Sequence, residues 1–237
     1  MQPHEFWQEI HPPLTFERNP SHGHSGFFPA EFEDGRQLRL PIRELPDSEH
    51  ALASLIINQA GFAVEEALCA SLAKKVRPFE PEVVVGLPTL GLTLARGTAK
   101  TLGLSRYVPL GTSRKFWYRE ELSVPMKSIT SPEQTKRLYL DPRMLPLIEN
   151  RRVLLIDDVI SSGRSIVAAL ELLAKCEVRP VALGAAMLQT DSWRKPLATM
   201  DPRWLERVVG VLRTPRLKRT NEGGWAAEQD ATDLRAF

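Results

Sequence analysis

The feature that most constrains this chain is the stretch Val153–Ser165, reading Val-Leu-Leu-Ile-Asp-Asp-Val-Ile-Ser-Ser-Gly-Arg-Ser. Its first four residues are an unbroken apolar run, which predicts a strand buried on both faces of a parallel sheet. Two carboxylates, Asp157 and Asp158, follow directly, then a hydroxyl-rich loop around Gly163. After Arg164 the apolar residues Ile166, Ala169, Leu170 and Leu173 recur at helical spacing. Strand, acidic pair, small polar loop and helix, in that order, place a phosphate cradle at the carboxyl end of a strand beside two negative charges.

The flanking segments repeat the alternation of strand and helix. Val83-Val84-Val85 predicts a second buried strand running into Gly86-Leu87-Pro88-Thr89-Leu90-Gly91, and a helix carries Leu94, Ala95, Thr98, Ala99 and Leu102. Tyr107–Leu110 reads as a short strand, at an edge because of Pro109. Val178–Met187 reads as another buried strand. Such an alternation calls for a parallel α/β sheet with right-handed crossovers. Upstream, Phe27–Leu45 predicts two strands around the Asp34-Gly35 turn. A helix capped by Asp47 or Ser48 is expected from there to about Val76, with Gly61 inside it at a cost of roughly 1 kcal/mol against alanine. Gly111–Pro132 has no clear period and reads as a long functional loop, Arg137–Leu140 as a returning strand, and Trp204–Val211 as helix passing into strand.

Composition narrows the function classes. The 237 residues are 43% hydrophobic, enough for one real core with a small accessory lobe. A net charge of +2 with both signs scattered argues against a dedicated nucleic-acid binder, the cluster Arg213–Arg219 being the exception. Cys69 and Cys176 lie in apolar helical segments with no metal-ligand spacing. His4, His11, His22 and His24 fit no recognised zinc pattern and suit a loose N-terminal arm. There is no signal-peptide core and no run of about 18 apolar residues, so a cytoplasmic protein with no membrane span is expected.

The chemistry resides in the loop and the acids. Gly163 permits a turn that points several N–H groups into one concavity, and the helix behind it adds its positive end. Ser162 and Ser165 can donate hydroxyls to phosphate oxygens. Asp157 and Asp158 read either as a helix cap with a salt bridge or as acceptors for the 2′ and 3′ hydroxyls of a ribose. A Walker-type ATP site is disfavoured because no lysine follows the glycine.

Val153–Ser165 is similar to the phosphoribosyl-diphosphate (PRPP) signature of type I phosphoribosyltransferases, with four apolar residues, two acids and a Ser-rich loop with glycine. Gly86–Gly91 resembles that family's diphosphate loop, in which Thr89, Leu90 and Gly91 would present N–H groups. Ser113-Arg114-Lys115 resembles the start of its mobile catalytic loop, often an Arg-Lys pair in adenine- and orotate-type members. Here Phe116-Trp117-Tyr118 stands between that pair and Arg119.

The resemblance spans Val83–Met187 and, in outline, the N-terminal lobe. It implies an α/β fold: a parallel sheet flanked by helices with a small N-terminal hood. The division expected is 1–45 for the arm and hood hairpin, 46–190 for the core and 191–237 for a C-terminal extension. It also implies transfer of the phosphoribosyl group of PRPP to a nucleobase, with Mg²⁺ carried by PRPP and Asp157 or Asp158 as its only candidate protein ligands. Asp157, Asp158, Arg114 and Lys115 are the candidate catalytic residues, Ser161, Ser162, Gly163, Arg164 and Ser165 the 5′-phosphate cradle, and Tyr118 and Arg119 part of the mobile loop. Glu120 and Glu121 are candidates for handling a proton on the base, and Phe27, Phe28, Met187, Leu188 and Trp225 for stacking on it. A homodimer is implied, with Arg114 or Lys115 reaching across. The competing reading is a regulatory protein that keeps the PRPP pocket without catalysis.

Overall fold

The computed structural model describes residues 2–126 and 136–228. The chain begins with an arm containing strand β1 (Ile10–His11), then forms an antiparallel ribbon of β2 (Phe27–Glu31), β3 (Gln37–Glu44) and β4 (His50–Ala53). The Asp34-Gly35 turn sits between β2 and β3 as expected, with Gly35 at φ +84°. The helix expected from 48 to 76 is corrected: 50–53 is strand, and α1 spans only Phe62–Val76, with Gly61 as its N-cap. Ala51 and Ala53 are fully buried on alternate positions of β4, which lies between β3 and a strand from the far end of the chain. That distant pairing outweighs a local helical pattern.

The core follows as β5 (Val83–Gly86), α2 (Gly91–Thr101), β6 (Val108–Pro109), a hairpin of β7 (Ser123–Met126) and β8 (Lys136–Tyr139), β9 (Val153–Ile160), α3 (Arg164–Lys175), β10 (Ala182–Gln189), α4 (Arg194–Met200) and β11 (Val208–Thr214). Five strands form one parallel sheet in the order β11-β10-β9-β5-β6, with β6 at the edge as Pro109 suggests. In β9, Leu154 and Ile156 enter one hydrophobic core with α1, α2 and the N-terminal lobe, while Val153 and Leu155 enter a second core with α3. Burial on both faces is why the run shows no polar alternation. Cys69 lies in the first core and borders the second helix, so burial pushes its thiol up to about 12, consistent with an inert structural residue.

After β11 the chain returns to the N-terminal lobe as β12 (Arg216–Arg219) and β13 (Trp225–Ala227). The lobe is a six-stranded sheet in the order β1-β3-β4-β12-β13, with β2 on β3. The boundaries expected at 45 and 190 are therefore corrected. β4 extends the lobe past 45, β11 belongs to the core sheet beyond 190, and β12 and β13 build the lobe from the C-terminal side. The lobe meets the carboxyl end of the core sheet where the Gln189 amide donates to the Ala53 carbonyl at 2.7 Å.

Candidate active site

At the carboxyl end of the parallel sheet β9 outruns its neighbour β5, whose last paired residue, Gly86, lies opposite Ile156. The strand continues to Ile160, paired on its other side with β10, so Asp157 and Asp158 sit within a strand rather than just beyond one. The recess beside them is filled by the loop Gly86–Gly91 that opens α2. A Cβ placed on Gly91 would stand 2.9 Å from both the Cα and Oδ1 of Asp157 and 3.2 Å from the Asp158 nitrogen. Only glycine lets the loop backbone approach this near. Thr89 and Leu90 lie in the same turn, where the Pro88–Thr89 peptide is cis.

Asp157 is buried and Asp158 half-buried. Burial, followed by the adjacent Asp158 charge, holds the Asp157 carboxyl well above the usual carboxylate range, and burial also raises Asp158. The Asp158 N–H donates to Asp157 Oδ1 at 3.0 Å. Among the described residues neither acid has a basic partner at ion-pairing distance. The salt-bridge reading of the pair is thereby set aside.

The loop Ser161–Gly163 and the first turn of α3 continue from these acids. Gly163 caps α3 at φ +75°, ψ −3°, in the left-handed region its residue type favours. Ser161, Ser162 and Ser165 are half-buried, and Arg164 points to solvent from the helix start. Behind the loop, Trp193 is buried and within 3.3 Å of where a Gly163 Cβ would stand. Its indole N–H donates to the Thr190 carbonyl at 3.0 Å, and the Arg194 guanidinium lies 5.0 Å over its ring. Trp193 escaped sequence reasoning; its only signal is its place just after a buried strand.

The contacts of Arg114 and Lys115 do not bring them to the acids. Both are exposed on the loop after β6, and Arg114 pairs with Glu120 at 3.5 Å. Glu120 also holds Arg137 at 2.9 Å, which makes it a loop anchor. Arg119 and Glu121 are exposed, while Tyr118 packs on Tyr139 with centroids 5.9 Å apart. The Trp117 indole donates to Asp141 at 3.3 Å under the Arg143 guanidinium, and Arg143 holds the Asp141 carboxyl down at about 2. The remainder of the expected loop, from 127 to 132, lies outside the described residues.

The stacking candidates are engaged elsewhere. Phe28, Met187 and Leu188 are buried in the cores, the Trp225 ring lies 4.4 Å under the Arg219 guanidinium, and Phe27 meets Phe16 and Arg39.

Residues 55–209 match the family model described as the phosphoribosyl transferase domain. The chain belongs to the phosphoribosyltransferase family. It is 32% identical over 161 residues to the bifunctional protein PyrR of Streptomyces coelicolor, covering 66% of this chain and 70% of that protein. A PyrR from Limosilactobacillus reuteri is 33% identical over 108 residues, covering 45% and 57%. Among solved structures, an adenine phosphoribosyltransferase of Giardia lamblia complexed with 9-deazaadenine superposes with a TM-score of 0.57 at 21% identity, over 73% of this chain and 93% of that one. One from Thermoanaerobacter pseudethanolicus gives 0.54 at 17%, over 73% and 95%. These likenesses establish the type I phosphoribosyltransferase fold. No described helix is long and apolar enough to cross a membrane.

Proposed function

We propose that this protein transfers the 5-phosphoribosyl group of PRPP to a nucleobase, releasing diphosphate and forming a nucleoside monophosphate. The observation that carries this reading is the contact of Gly91 with Asp157 and Asp158, immediately before the Ser161–Ser165 loop. A ribose held by the acids then has its C1 side at the Thr89–Gly91 amides and its 5′ side at the start of α3.

Breaking the bond from ribose C1 to diphosphate leaves positive charge on the ring and negative charge on the leaving group, and a base nitrogen then bonds to C1 and gives up its proton. The N–H groups of Thr89, Leu90 and Gly91 meet the diphosphate, and the carboxylates of Asp157 and Asp158 accept from the ribose hydroxyls and favour a cationic ring. The Ser161–Ser165 loop and the α3 N-terminus anchor the 5′-phosphate, so binding remote from C1 positions the reacting atom. Arg114 and Lys115 reach the diphosphate once Arg114 leaves Glu120, and Tyr118 and Arg119 move with them.

The donor set suits Mg²⁺: two oxygen-only side chains whose charge is raised in energy by burial and unmatched by a protein cation. Among the described residues no cluster of three ligating side chains exists, so the metal would arrive with the diphosphate and take at most Asp157 or Asp158. When bound, it neutralises negative charge on the leaving diphosphate.

The feature that would favour the regulatory alternative is the basic cluster at 213–219. Arg216 pairs with Asp47 and Glu228, and Arg219 with Glu44, so much of that charge is matched within the lobe. The test is diphosphate release from PRPP and Mg²⁺ with each of a panel of purine and pyrimidine bases. Release with one base is expected. PRPP binding with no release for any base would replace the transferase with a PRPP-binding regulator.

A further inference from the structure

At the far end of α2 from the diphosphate loop, Arg96, Lys100, Leu104, Ser105, Arg106 and Tyr107 line an open cleft of about 380 Å³. Three of these residues are cationic and none is acidic. Arg96 and Lys100 stand one turn apart on α2, a like-charge spacing that works against the helix. Arg106 directs a guanidinium nitrogen to the Met144 sulfur at 3.7 Å, a weak acceptor. Among the described residues none of the three meets a carboxylate, whereas Arg36, Arg143, Arg203 and Arg219 each do. The half-buried Tyr107 supplies the one aromatic face. Arg96 and Lys100 stand five and nine residues along α2 from Gly91, about 8 and 14 Å up the helix axis, and none of the lining residues belongs to the Gly86–Gly91 loop or the acidic strand.

We propose that this cleft is a second anion site, binding a di- or triphosphate group either free or as the tail of a nucleotide. Three cations without a matching acid suit an anion of two or more charges, and the volume falls in the range of small-molecule sites. Its position is also suited to communication. Ligand here touches the last turn of α2, whose first residue is Gly91, and the residues leading into β6, whose far end carries the Arg114 loop.

The test is calorimetric titration of the full chain with ADP and, separately, inorganic diphosphate, comparing the unaltered protein with Arg96→Gln/Arg106→Gln. Both residues are exposed, so the variant is expected to fold. Lys100→Glu provides a second, independent removal of charge. Binding weakened about tenfold or more in both variants supports the site, tenfold corresponding to about 1.4 kcal/mol. Tighter binding of ADP than of diphosphate to the unaltered chain assigns a nucleotide tail, and the reverse order assigns free diphosphate. Superimposable isotherms for all three proteins, or no binding to the unaltered chain, would overturn it.

Discussion

Replacing Gly91 by alanine tests the geometry on which the functional reading rests. The new methyl group would stand 2.9 Å from the Cα and Oδ1 of Asp157, against at least 3.4 Å for ordinary contact, so the loop and the acidic strand must part by about 0.5 Å. The Asp157 Cα and Asp158 N are backbone held by the pairing of β9 with β10, so rotating the Asp157 carboxyl alone does not relieve the contact. A misplacement of about 1 Å in a reacting geometry costs on the order of 10²-fold in rate. In proportion, half that displacement corresponds to a loss of kcat/KM of roughly 10-fold, or about 1.4 kcal/mol of transition-state stabilisation. Stability moves less, because overpacking of about 1–3 kcal/mol is offset by the roughly 1 kcal/mol that alanine gains over glycine in a helix. The assay is steady-state diphosphate release with PRPP as the varied substrate, alongside thermal unfolding. A Gly91→Ala protein with unchanged kcat/KM would show that the two loops do not share one substrate, and the reasoning would fail.

Asp157→Asn should abolish PRPP binding yet stabilise the fold at neutral pH. The native carboxyl titrates above its ordinary value of 3.8, so between those two points the folded chain keeps a proton the unfolded chain has lost. Stability therefore falls as pH rises through that interval and stays lower above it. The amide removes this fall, giving no gain below the unfolded value and full gain above the native one. Relief of an uncompensated buried group is worth on the order of 1–3 kcal/mol, and about 2–4 °C in Tm per kcal/mol. A Tm difference that is the same at every pH, or retained PRPP binding, would contradict it. Asp141→Ala removes the acceptor for Trp117 and the cap of the 3-10 turn at Pro142, costing about 1–2 kcal/mol locally. Amide hydrogen exchange over 114–122 should accelerate, and unchanged exchange would show that Asp141 does not hold the loop. In the parent protein this anchor persists as pH falls until about 2, where the Asp141 carboxyl takes up its proton.

The strand, loop and helix of Val153–Lys175 were legible because local order suffices for them. An apolar run buried on both faces, two acids and a glycine-bearing loop before a helix specify β9, the turn at Gly163 and α3 without reference to distant residues. What sequence reading missed depends on partners far along the chain. The residues around Leu52 satisfy a helical spacing and a strand alternation equally well, and pairing with β3 on one side and with β12, more than 160 residues later, on the other decides for strand. The same return of the chain builds the lobe from both ends, and a linear reading divides it at 45 and 190.

The sequence by itself determined the parallel sheet, the order of its two glycine-bearing loops and the acids between them, since burial period and turn chemistry are local properties. Only the tertiary structure decided that Gly91 touches Asp157, that Trp193 backs the Gly163 turn, that Trp225 and Met187 are packing residues, and that Arg114 is held by Glu120. Those relations arise from how β9 extends past β5 and how helices and lobe close around it. Contact between residues distant in sequence carries no period for a linear pattern to reveal.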